Sequence, residues 1–323
     1  MTAAPAPVGR FAGVELGGTK VIVTLADGLD IVAQHSLATT TPDETLGAAV
    51  DRLADWNAQA PLSAIGIASF GPIRVDRAAP DYGIMLHTTK PGWSGAPVVG
   101  AFAARFGCPI GLDTDVNGAG IAEAALGAGR DCNTIVYLTI GTGIGGGVIV
   151  DGCPVVGRLH PEIGHVRLRR AGGDGFAGAC AFHGDCIEGL VSGPALWARF
   201  GRDPATVDPA DPAWDAVVSD LAELLVALML TLSPDRIIVG GSVALGQPDL
   251  LARATERAAG WLMPYIGDYD VTAMSCIVVP PTLKQDAGPL GAVLLAVRAA
   301  QLGTPGVTSG LRSAALRDSA GQR

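Results

Sequence analysis

Glu15-Leu16-Gly17-Gly18-Thr19-Lys20 joins two apolar runs near the start of the chain, and the pattern returns as Thr139-Ile140-Gly141-Thr142-Gly143-Ile144-Gly145-Gly146-Gly147. In both places an apolar run, a glycine turn with a threonine, a second apolar run and an Asp-Gly pair follow one another. Glycine accepts positive φ angles, and its N–H groups approach an anion without a Cβ in the way. Either turn alone could be an ordinary hairpin. Two such turns in one chain predict a clamp that grips a polyphosphate between two halves of a hinged molecule.

The amino-acid composition favours a two-domain α/β protein. The chain has 323 residues, of which 49% are hydrophobic and 45 are glycine, enough for buried layers joined by tight turns. Its net charge of −9 disfavours nucleic acid and anionic membranes as partners, because phosphates would be repelled over most of the surface. Neither a secretory signal nor an apolar run long enough to span a bilayer is visible. We therefore expect a cytoplasmic protein whose six cysteines are reduced or metal-bound.

Strand-like and helix-like segments alternate along the chain, which predicts α/β layers. The segment Thr41-Pro42-Asp43-Glu44 has the features of a helix start: a threonine cap, a proline in the first turn and acids near the positive end. The predicted helices cover about 42–57, 98–106, 118–126, 214–232 and 286–302, and the predicted strands include 64–70, 109–112 and 235–240. The predicted domains are residues 11–117, completed by the helix near 286–302, and residues 118–285, with loose ends at 1–10 and 303–323.

The segment Asp113-Thr114-Asp115-Val116-Asn117 follows a predicted strand. Ligands of α/β folds gather beyond the carboxyl ends of strands, so an acid there is well placed for a reaction. Such an acid can accept the proton of a substrate hydroxyl as its oxygen attacks a γ-phosphoryl group, which is worth about 10²–10⁴-fold in rate. Asp113 and Asp115 both suit this role, and their spacing does not separate them. The segment could also serve only to cap the following helix.

A candidate metal site lies in the second half of the chain. The unit Cys180-x-x-His183-x-x-Cys186 carries three ligands on one tight loop, and His165 lies 15 residues before it. Four nitrogen and sulfur ligands with no open position suit a structural, tetrahedral Zn²⁺. Coincidental clustering of small cysteines and surface histidines is the alternative. Glu162 and Glu188 flank the loop, and a pair of tethered carboxylates can bind several hydroxyl groups of a polyol.

Taken together, these segments resemble the ROK family of sugar kinases over nearly the whole chain, from about Phe11 to Leu302. The resemblance is closest to the bacterial fructokinase subgroup, whose sugar-side segments are similar to 69–73, 82–84 and 89–93, although His87 is unusual there. The motifs that carry it are the first phosphate motif at 15–20, the catalytic segment at 114–117, the second phosphate motif at 139–147, the ExGH sugar motif at 162–165 and the zinc loop at 180–188. The match at 114–117 favours Asp115 over Asp113 as the base.

The resemblance implies an actin-like, ribonuclease-H-like ATPase fold whose two domains enclose a cleft for ATP, Mg²⁺ and a hexose. It assigns Asp115 as the catalytic base and His165, Cys180, His183 and Cys186 as ligands of a structural Zn²⁺. Sugar contacts are implied for Thr114, Asn117, Glu162, His165 and Glu188. Nucleotide contacts are implied for Gly17, Gly18, Thr19, Lys20, Gly141, Thr142, Gly143, Gly193, Pro194, Gly240, Gly241 and Ser242. It also implies a homodimer, which the composition does not test.

The implied reaction is the phosphorylation of fructose to fructose 6-phosphate. A glucose, mannose or broad-specificity hexokinase of the same family stays open, because no motif resolves the sugar. A sugar-responsive transcription repressor is the main alternative of another class, and a sugar sensor without kinase activity is a further one. Only about ten residues precede the first predicted strand, so we expect no N-terminal helix-turn-helix. The intact glycine turns and Asp115 favour an enzyme over a sensor.

Overall fold

The computed structural model of the chain describes residues 7–247 and 249–303. Within these residues the strands are β1 (Arg10–Leu16), β2 (Lys20–Asp27), β3 (Asp30–Ala38), β4 (Ala64–Ser69), β5 (Ile110–Thr114), β6 (Thr134–Ile140), β7 (Ile144–Val150), β8 (Cys153–Pro154), β9 (Arg236–Gly240) and β10 (Val278–Val279). The α-helices are α1 (Pro42–Gln59), α2 (Val98–Ala103), α3 (Asp115–Leu126), α4 (Ile187–Val191), α5 (Gly193–Phe200), α6 (Trp214–Leu232), α7 (Ser242–Gly246), α8 (Leu250–Leu262), α9 (Val271–Ile277) and α10 (Ala287–Gly303).

The first sheet has the strand order β3-β2-β1-β4-β5. Strands β1 and β2 pair antiparallel, with Leu16 opposite Val21, so the first glycine turn closes a hairpin as predicted. Strands β4 and β5 run parallel to β1. Helix α1 begins where its sequence signals lie, because the Thr41 side chain accepts a hydrogen bond from the N–H of Glu44. Its apolar face packs on this sheet through Leu53 and Trp56.

The second sheet repeats this architecture in the order β10-β9-β6-β7-β8. Strands β6 and β7 form the second antiparallel hairpin, with Ile140 opposite Ile144 across the glycine turn. Strand β9 runs parallel to β6, and β10 runs parallel to β9. The duplication suggested by the two hairpins is therefore confirmed, because each sheet consists of a three-stranded meander followed by two parallel strands. Helix α6 covers the predicted range 214–232 and packs its apolar side into the core of this sheet.

Helices α3 and α10 lie against each other and connect the two sheets. Helix α10 packs on β1 and β4 of the first sheet, whereas α3 packs on β6 and β7 of the second. The two helices approach most closely at glycine, because a Cβ added at Gly291 would overlap the backbone of Gly118. The last described helix thus returns to the first sheet, as expected for the segment near 286–302. The domain boundaries at 117 and 285 stay a prediction.

Four sequence expectations concern the ends of two elements, the ends of the chain and membrane spans. Helix α2 ends at Ala103, three residues before the predicted end, and β5 runs two residues beyond 112 to Thr114. Of the predicted loose ends, residues 1–6 and 304–323 lie outside the described residues, and Arg10 already pairs within β1. In the part of the chain that is described, every helix is too short or too polar to cross a membrane.

Replacing Gly66 with alanine should lower the free energy of unfolding, because the added Cβ would overlap the backbone of Ala292 and Ala296 in α10. Overpacking of this kind typically costs about 1–3 kcal/mol, and thermal or urea unfolding measures it. The matched control Gly47→Ala adds the same methyl group to the exposed face of α1, where no atom lies within 4 Å. It should stabilise the helix by about 0.5–1 kcal/mol. Equal stability of the two variants would contradict the packing of α10 on the first sheet.

Candidate active site

A cavity of about 530 Å³ opens between the two halves of the chain. Gly18 and Thr19 of the first glycine turn line it, and so do Gly141, Thr142 and Gly143 of the second turn. The two turns are 123 residues apart when measured from Gly18 to Gly141, yet they face one space. The sequence prediction of a single cleft shared by both turns is therefore confirmed.

Asp115 lies in this cleft at the end of β5, where it is the first residue of α3. The Thr114 side chain caps that helix by accepting a hydrogen bond from the N–H of Asn117 at 3.2 Å. An Asp115 carboxylate oxygen accepts a hydrogen bond from the N–H of Val116 at 2.8 Å. Burial outweighs the effect of this hydrogen bond and raises the pKa of Asp115 to about 6. The carboxyl is therefore poised to exchange a proton near neutral pH.

Asp113 occupies a different environment from Asp115. It belongs to β5, is 6% exposed and does not belong to the described lining of the cavity. One of its carboxylate oxygens accepts hydrogen bonds from the Asn117 side chain at 2.6 Å and from the N–H of Thr114 at 2.8 Å. Strand alternation alone would place Asp113 and Asp115 on the same face, so what separates them is the start of α3 at Asp115. Asn117 is likewise buried and lies behind the cavity wall, and its role as a sugar contact stays a prediction.

Carboxylates gather around Asp115. Burial, followed by the negative charge of Asp115, raises the pKa of Glu15 to about 7, although Lys20 opposes the shift. One oxygen of Glu15 is buried without a hydrogen-bond partner among the described residues. Partial burial, Glu188 and Asp115 together raise the pKa of Glu162 to about 7. Close carboxylates resist simultaneous ionisation unless a cation compensates them, and oxygen ligands are what Mg²⁺ prefers. The chemistry of this donor set therefore fits a Mg²⁺ ion that arrives with a nucleotide.

His160 lines the cavity as well, although the sequence analysis did not single it out. Its side chain is 3% exposed, and its Nε2 accepts a hydrogen bond from the N–H of Ile73 at 3.2 Å, across the cleft from the first half of the chain. Burial lowers the pKa of His160, so the ring is neutral and its Nδ1 carries the hydrogen. Nδ1 lies 3.4 Å from an oxygen of Glu162. The sequence feature that could have identified His160 is its position two residues before Glu162, a predicted sugar ligand.

The four predicted metal ligands meet at one point. One ligand atom from each of His165, Cys180, His183 and Cys186 lies within 4.8 Å of all the others. The Cys180 sulfur lies 3.8 Å from Nδ1 of both histidines, and the Cys186 sulfur lies 3.6 Å from Nδ1 of His165. Two thiols and two imidazoles form a donor set for a borderline-soft metal ion. His165 and Cys180 also line the cavity, so a metal ion here would stabilise one wall of the cleft.

The segment 180–186, which we call the metal loop, is held by contacts on both sides. Glu188, just after the loop, accepts a hydrogen bond from the N–H of Ile144 at 3.0 Å and thereby joins the loop to the second glycine turn. Behind the loop, Arg170 lies 3.7 Å from Asp185 and 3.9 Å from the buried Asp220 of α6. Asp220 also pairs with Arg199 at 2.9 Å. Buried pairs are costly to break on one side only, so this network resists displacement of the loop.

The opposite wall of the cavity comes from residues 87–90. The ring of Phe182, on the metal loop, contacts His87 with 5.7 Å between centroids, so the loop reaches across the cleft to the first half. Lys90 donates a hydrogen bond from Nζ to the carbonyl oxygen of Gly18 at 2.5 Å. His87, for which the sequence indicated no partner, is therefore part of the cavity wall. Neither contact has a local sequence signal, because each joins distant segments.

The remaining predicted nucleotide contacts differ in position. Lys20 is exposed, and neither Lys20 nor Gly17 belongs to the described lining of the cavity. Gly193 donates a hydrogen bond from its N–H to the carbonyl oxygen of Gly141 at 2.8 Å, so the start of α5 adjoins the second turn. Gly241 has φ +94° and lies so close to Ile140 that a side chain would overlap its backbone. These neighbours of the second turn do not line the cavity themselves: Gly193, Pro194, Gly240, Gly241 and Ser242.

Comparison with known proteins gives a consistent result. The ROK family profile matches residues 11–299. A fructokinase of Zymomonas mobilis is 40% identical over 295 residues, which cover 90% of this chain and 97% of that protein. A fructokinase of Pediococcus pentosaceus is 38% identical over 287 residues, covering 88% of this chain and 97% of the relative. A solved ROK family glucokinase from Streptomyces griseus, in complex with glucose and AMPPNP, has a TM-score of 0.70 at 26% identity and covers 90% of this chain and 100% of its own.

This chain belongs to the ROK family. It has the actin-like, ribonuclease-H-like ATPase fold that the sequence resemblance implied.

Proposed function

We propose that this chain is an ATP-dependent fructokinase, which phosphorylates the primary hydroxyl of fructose to give fructose 6-phosphate. The observation that carries the proposal is the position of Asp115 in one cleft with both glycine turns. The fructokinases of Zymomonas mobilis and Pediococcus pentosaceus, similar over about nine tenths of the chain, support the choice of sugar and reaction. The glucokinase structure with glucose and AMPPNP supports a cleft that holds a hexose and a nucleotide together.

The transfer step uses the geometry of the cleft. The polyphosphate of ATP lies between the two glycine turns, whose N–H groups suit phosphate oxygens. Asp115 accepts the proton of the sugar hydroxyl as its oxygen bonds to the γ-phosphorus. The bond from that phosphorus to the β,γ-bridging oxygen breaks, and its electron pair leaves with ADP. A Mg²⁺ ion that arrives with the nucleotide, held on the protein side by the carboxylates of Asp115 and Glu15, would supply charge neutralisation for the phosphate groups. Positioning supplies most of the rate enhancement in phosphoryl transfer, and the base adds to it.

The sugar is held by the wall next to the metal loop. Glu162, His165 and Glu188 line the cavity, and their acceptor and donor atoms suit several hydroxyl groups of one hexose. His160 fixes the orientation of Glu162 from behind. Because His160 bonds to Ile73 across the cleft, closure of the two halves and orientation of the sugar are linked. Closure also excludes water, which limits wasteful hydrolysis of ATP.

We infer that the metal of the Cys180–Cys186 loop is a structural Zn²⁺. Two sulfur and two nitrogen donors complete a tetrahedral site and leave no position for substrate. With Nδ1 of His165 directed toward both cysteine sulfurs, its Nε2 is the atom that remains for a sugar hydroxyl. One residue thus belongs to both the metal site and the sugar site.

A panel of sugars tests the proposed reaction. We expect the highest kcat/KM with fructose, measured by coupling ADP formation to a detectable reaction, with mannose, glucose and N-acetylated amino sugars as comparisons. A higher kcat/KM with glucose or mannose would replace fructokinase by a hexokinase of broader specificity. Sugar binding in calorimetry without turnover for any hexose would indicate a sensor.

Asp115→Asn should lower kcat by about 10²–10⁴-fold, because the amide cannot accept the hydroxyl proton. Fructose affinity, measured by calorimetry, should change little. The matched control is Asp113→Asn, since an amide oxygen can still accept the hydrogen bonds from Thr114 and Asn117. That control should stay near the wild-type rate. High turnover of Asp115→Asn would remove Asp115 from the mechanism.

The pH dependence of kcat/KM tests the same role in the unmodified protein. The base must be ionised, and its pKa is raised from 3.8 to about 6, while the pKa values of the neighbouring Glu15 and Glu162 are raised to about 7, so activity should be highest above pH 7 and fall as the pH drops from 7 through 6. The decline should approach about tenfold per pH unit well below the pKa of the base. Activity that stays constant down to pH 5 would contradict the assignment.

Metal analysis of the purified protein tests the zinc site. We expect about one Zn²⁺ per chain. The double variant Cys180→Ser, Cys186→Ser should lose this metal, and its thermal stability should fall because metal binding contributes to folding. The matched control is Cys132→Ser, Cys276→Ser, which removes two thiols outside the cluster and should keep the metal. A wild-type protein that is metal-free and fully active would refute the site.

A further inference from the structure

Lys90 is the single lysine or arginine among the described residues that line the cleft. The other ionisable side chains of this lining are the carboxylates Asp115, Glu162 and Glu188, together with histidines and Cys180. A kinase must nevertheless bring a highly charged anion into this space. The position of the one cation therefore decides where an anionic group is stabilised.

The ammonium group of Lys90 is held in place by neutral acceptors. Nζ donates to the carbonyl oxygen of Gly18 at 2.5 Å and lies 3.5 Å from that of Thr39. Three residues further on, the fully buried Trp93 donates from its ring nitrogen to the carbonyl oxygen of Thr40 at 2.9 Å. These hydrogen bonds attach residues 90–93 to the first glycine turn and to the segment that follows β3. The amine is thus fixed beside the first glycine turn and does not depend on closure of the cleft.

Lys90 forms no ion pair within the described part of the chain. An ammonium group has three N–H donors, and two carbonyl oxygens leave at least one of them for a ligand. Carbonyl dipoles hold the group without cancelling its charge. A cation kept without a carboxylate partner in a cleft that receives phosphates is a preformed anion site. Lys20 does not provide this site, because it is exposed and does not line the cavity.

We propose that Lys90 binds the phosphoryl group during its transfer and then holds the phosphate of the hexose 6-phosphate product. The inference rests on the proposed kinase function and adds a residue to it. The reason is geometric: Lys90 lies at Gly18 on the first phosphate turn and borders the same cavity as Asp115, so it faces the path from nucleotide to sugar. Lys90 keeps its proton throughout, and the hydroxyl proton goes to Asp115.

The test compares Lys90→Met with Lys90→Arg and with Lys284→Met, a control that removes the same charge from an exposed lysine outside the cleft. Lys90→Met should lower kcat by about 10²–10³-fold, as for the loss of one donor to a developing charge. Lys90→Arg should recover part of the rate because it restores the cation. Lys284→Met should match the wild type.

Binding measurements separate a contact with the transferred group from support of the glycine turn. In calorimetry, Lys90→Met should lower the affinity for fructose 6-phosphate by about 10–100-fold, the range expected for the loss of a hydrogen bond to a charged group. Its affinities for fructose and for Mg²⁺–ADP should remain close to those of the wild type. An equal loss of Mg²⁺–ADP affinity would mean that Lys90 only shapes the turn, and would overturn the proposal. So would an unchanged kcat.

The outcomes keep the two proposals apart. If the wild-type protein prefers another hexose, the proposed substrate is wrong. The Lys90 variants are then compared with the wild type on that hexose and its 6-phosphate, and this comparison decides the role of Lys90. A wild-type protein without kinase activity would contradict both. An active wild type with an equally active Lys90→Met would contradict the role of Lys90 alone.

Discussion

The close contact between α3 and the glycine-rich strand β7 is the constraint on which the rest of this structure depends. A Cβ at Gly145 would lie 2.7 Å from a Val116 methyl group, and one at Gly147 would lie 2.6 Å from the Asn117 side-chain oxygen. These glycines therefore make room for the first turn of α3, which carries Asp115. The second glycine segment has two structural roles: its turn lines the cleft, and its strand makes room for the helix that begins at Asp115. A side chain at Gly145 or Gly147 would displace the start of this helix.

Electrostatics gives the cleft its second constraint. Glu15, Asp115 and Glu162 have raised pKa values because they are buried near one another, and such a cluster is stable only when protons or cations compensate it. In the proposed reaction, a nucleotide with Mg²⁺ would supply this compensation. Lys90 forms no ion pair among the described residues, and in the proposed transfer it would face the negative charge of the phosphoryl group.

The metal loop connects the sugar wall to everything around it. Glu188 joins it to the second glycine turn, Phe182 joins it to His87 of the first half, and the Arg170 and Arg199 network joins it to α6. These contacts hold the loop in place, and the metal ion proposed for its cysteines and histidines would add to them. Candidate metal ligands and candidate sugar ligands lie on one segment between Glu162 and Glu188, with His165 in both groups. The proposed specificity for fructose therefore depends on contacts that the loop makes at a distance.

Local patterns in the amino-acid sequence were sufficient for the two hairpins, the start of α1, the range of α6 and the grouping of the four candidate metal ligands. Each of these depends on the conformational preferences or chemistry of neighbouring residues, such as positive φ at glycine, a threonine cap or three ligands on one loop. The choice of Asp115 over Asp113 needed the resemblance first and the end of β5 afterwards. The positions of His160 and Lys90, on which their proposed roles rest, came only from the folded chain, because their partners Ile73 and Gly18 lie 87 and 72 residues away. The contact of His160 with Ile73 forms only when the two halves of the chain come together, and the contact of Lys90 with Gly18 forms when the first half folds, so no short-range pattern encodes either of them.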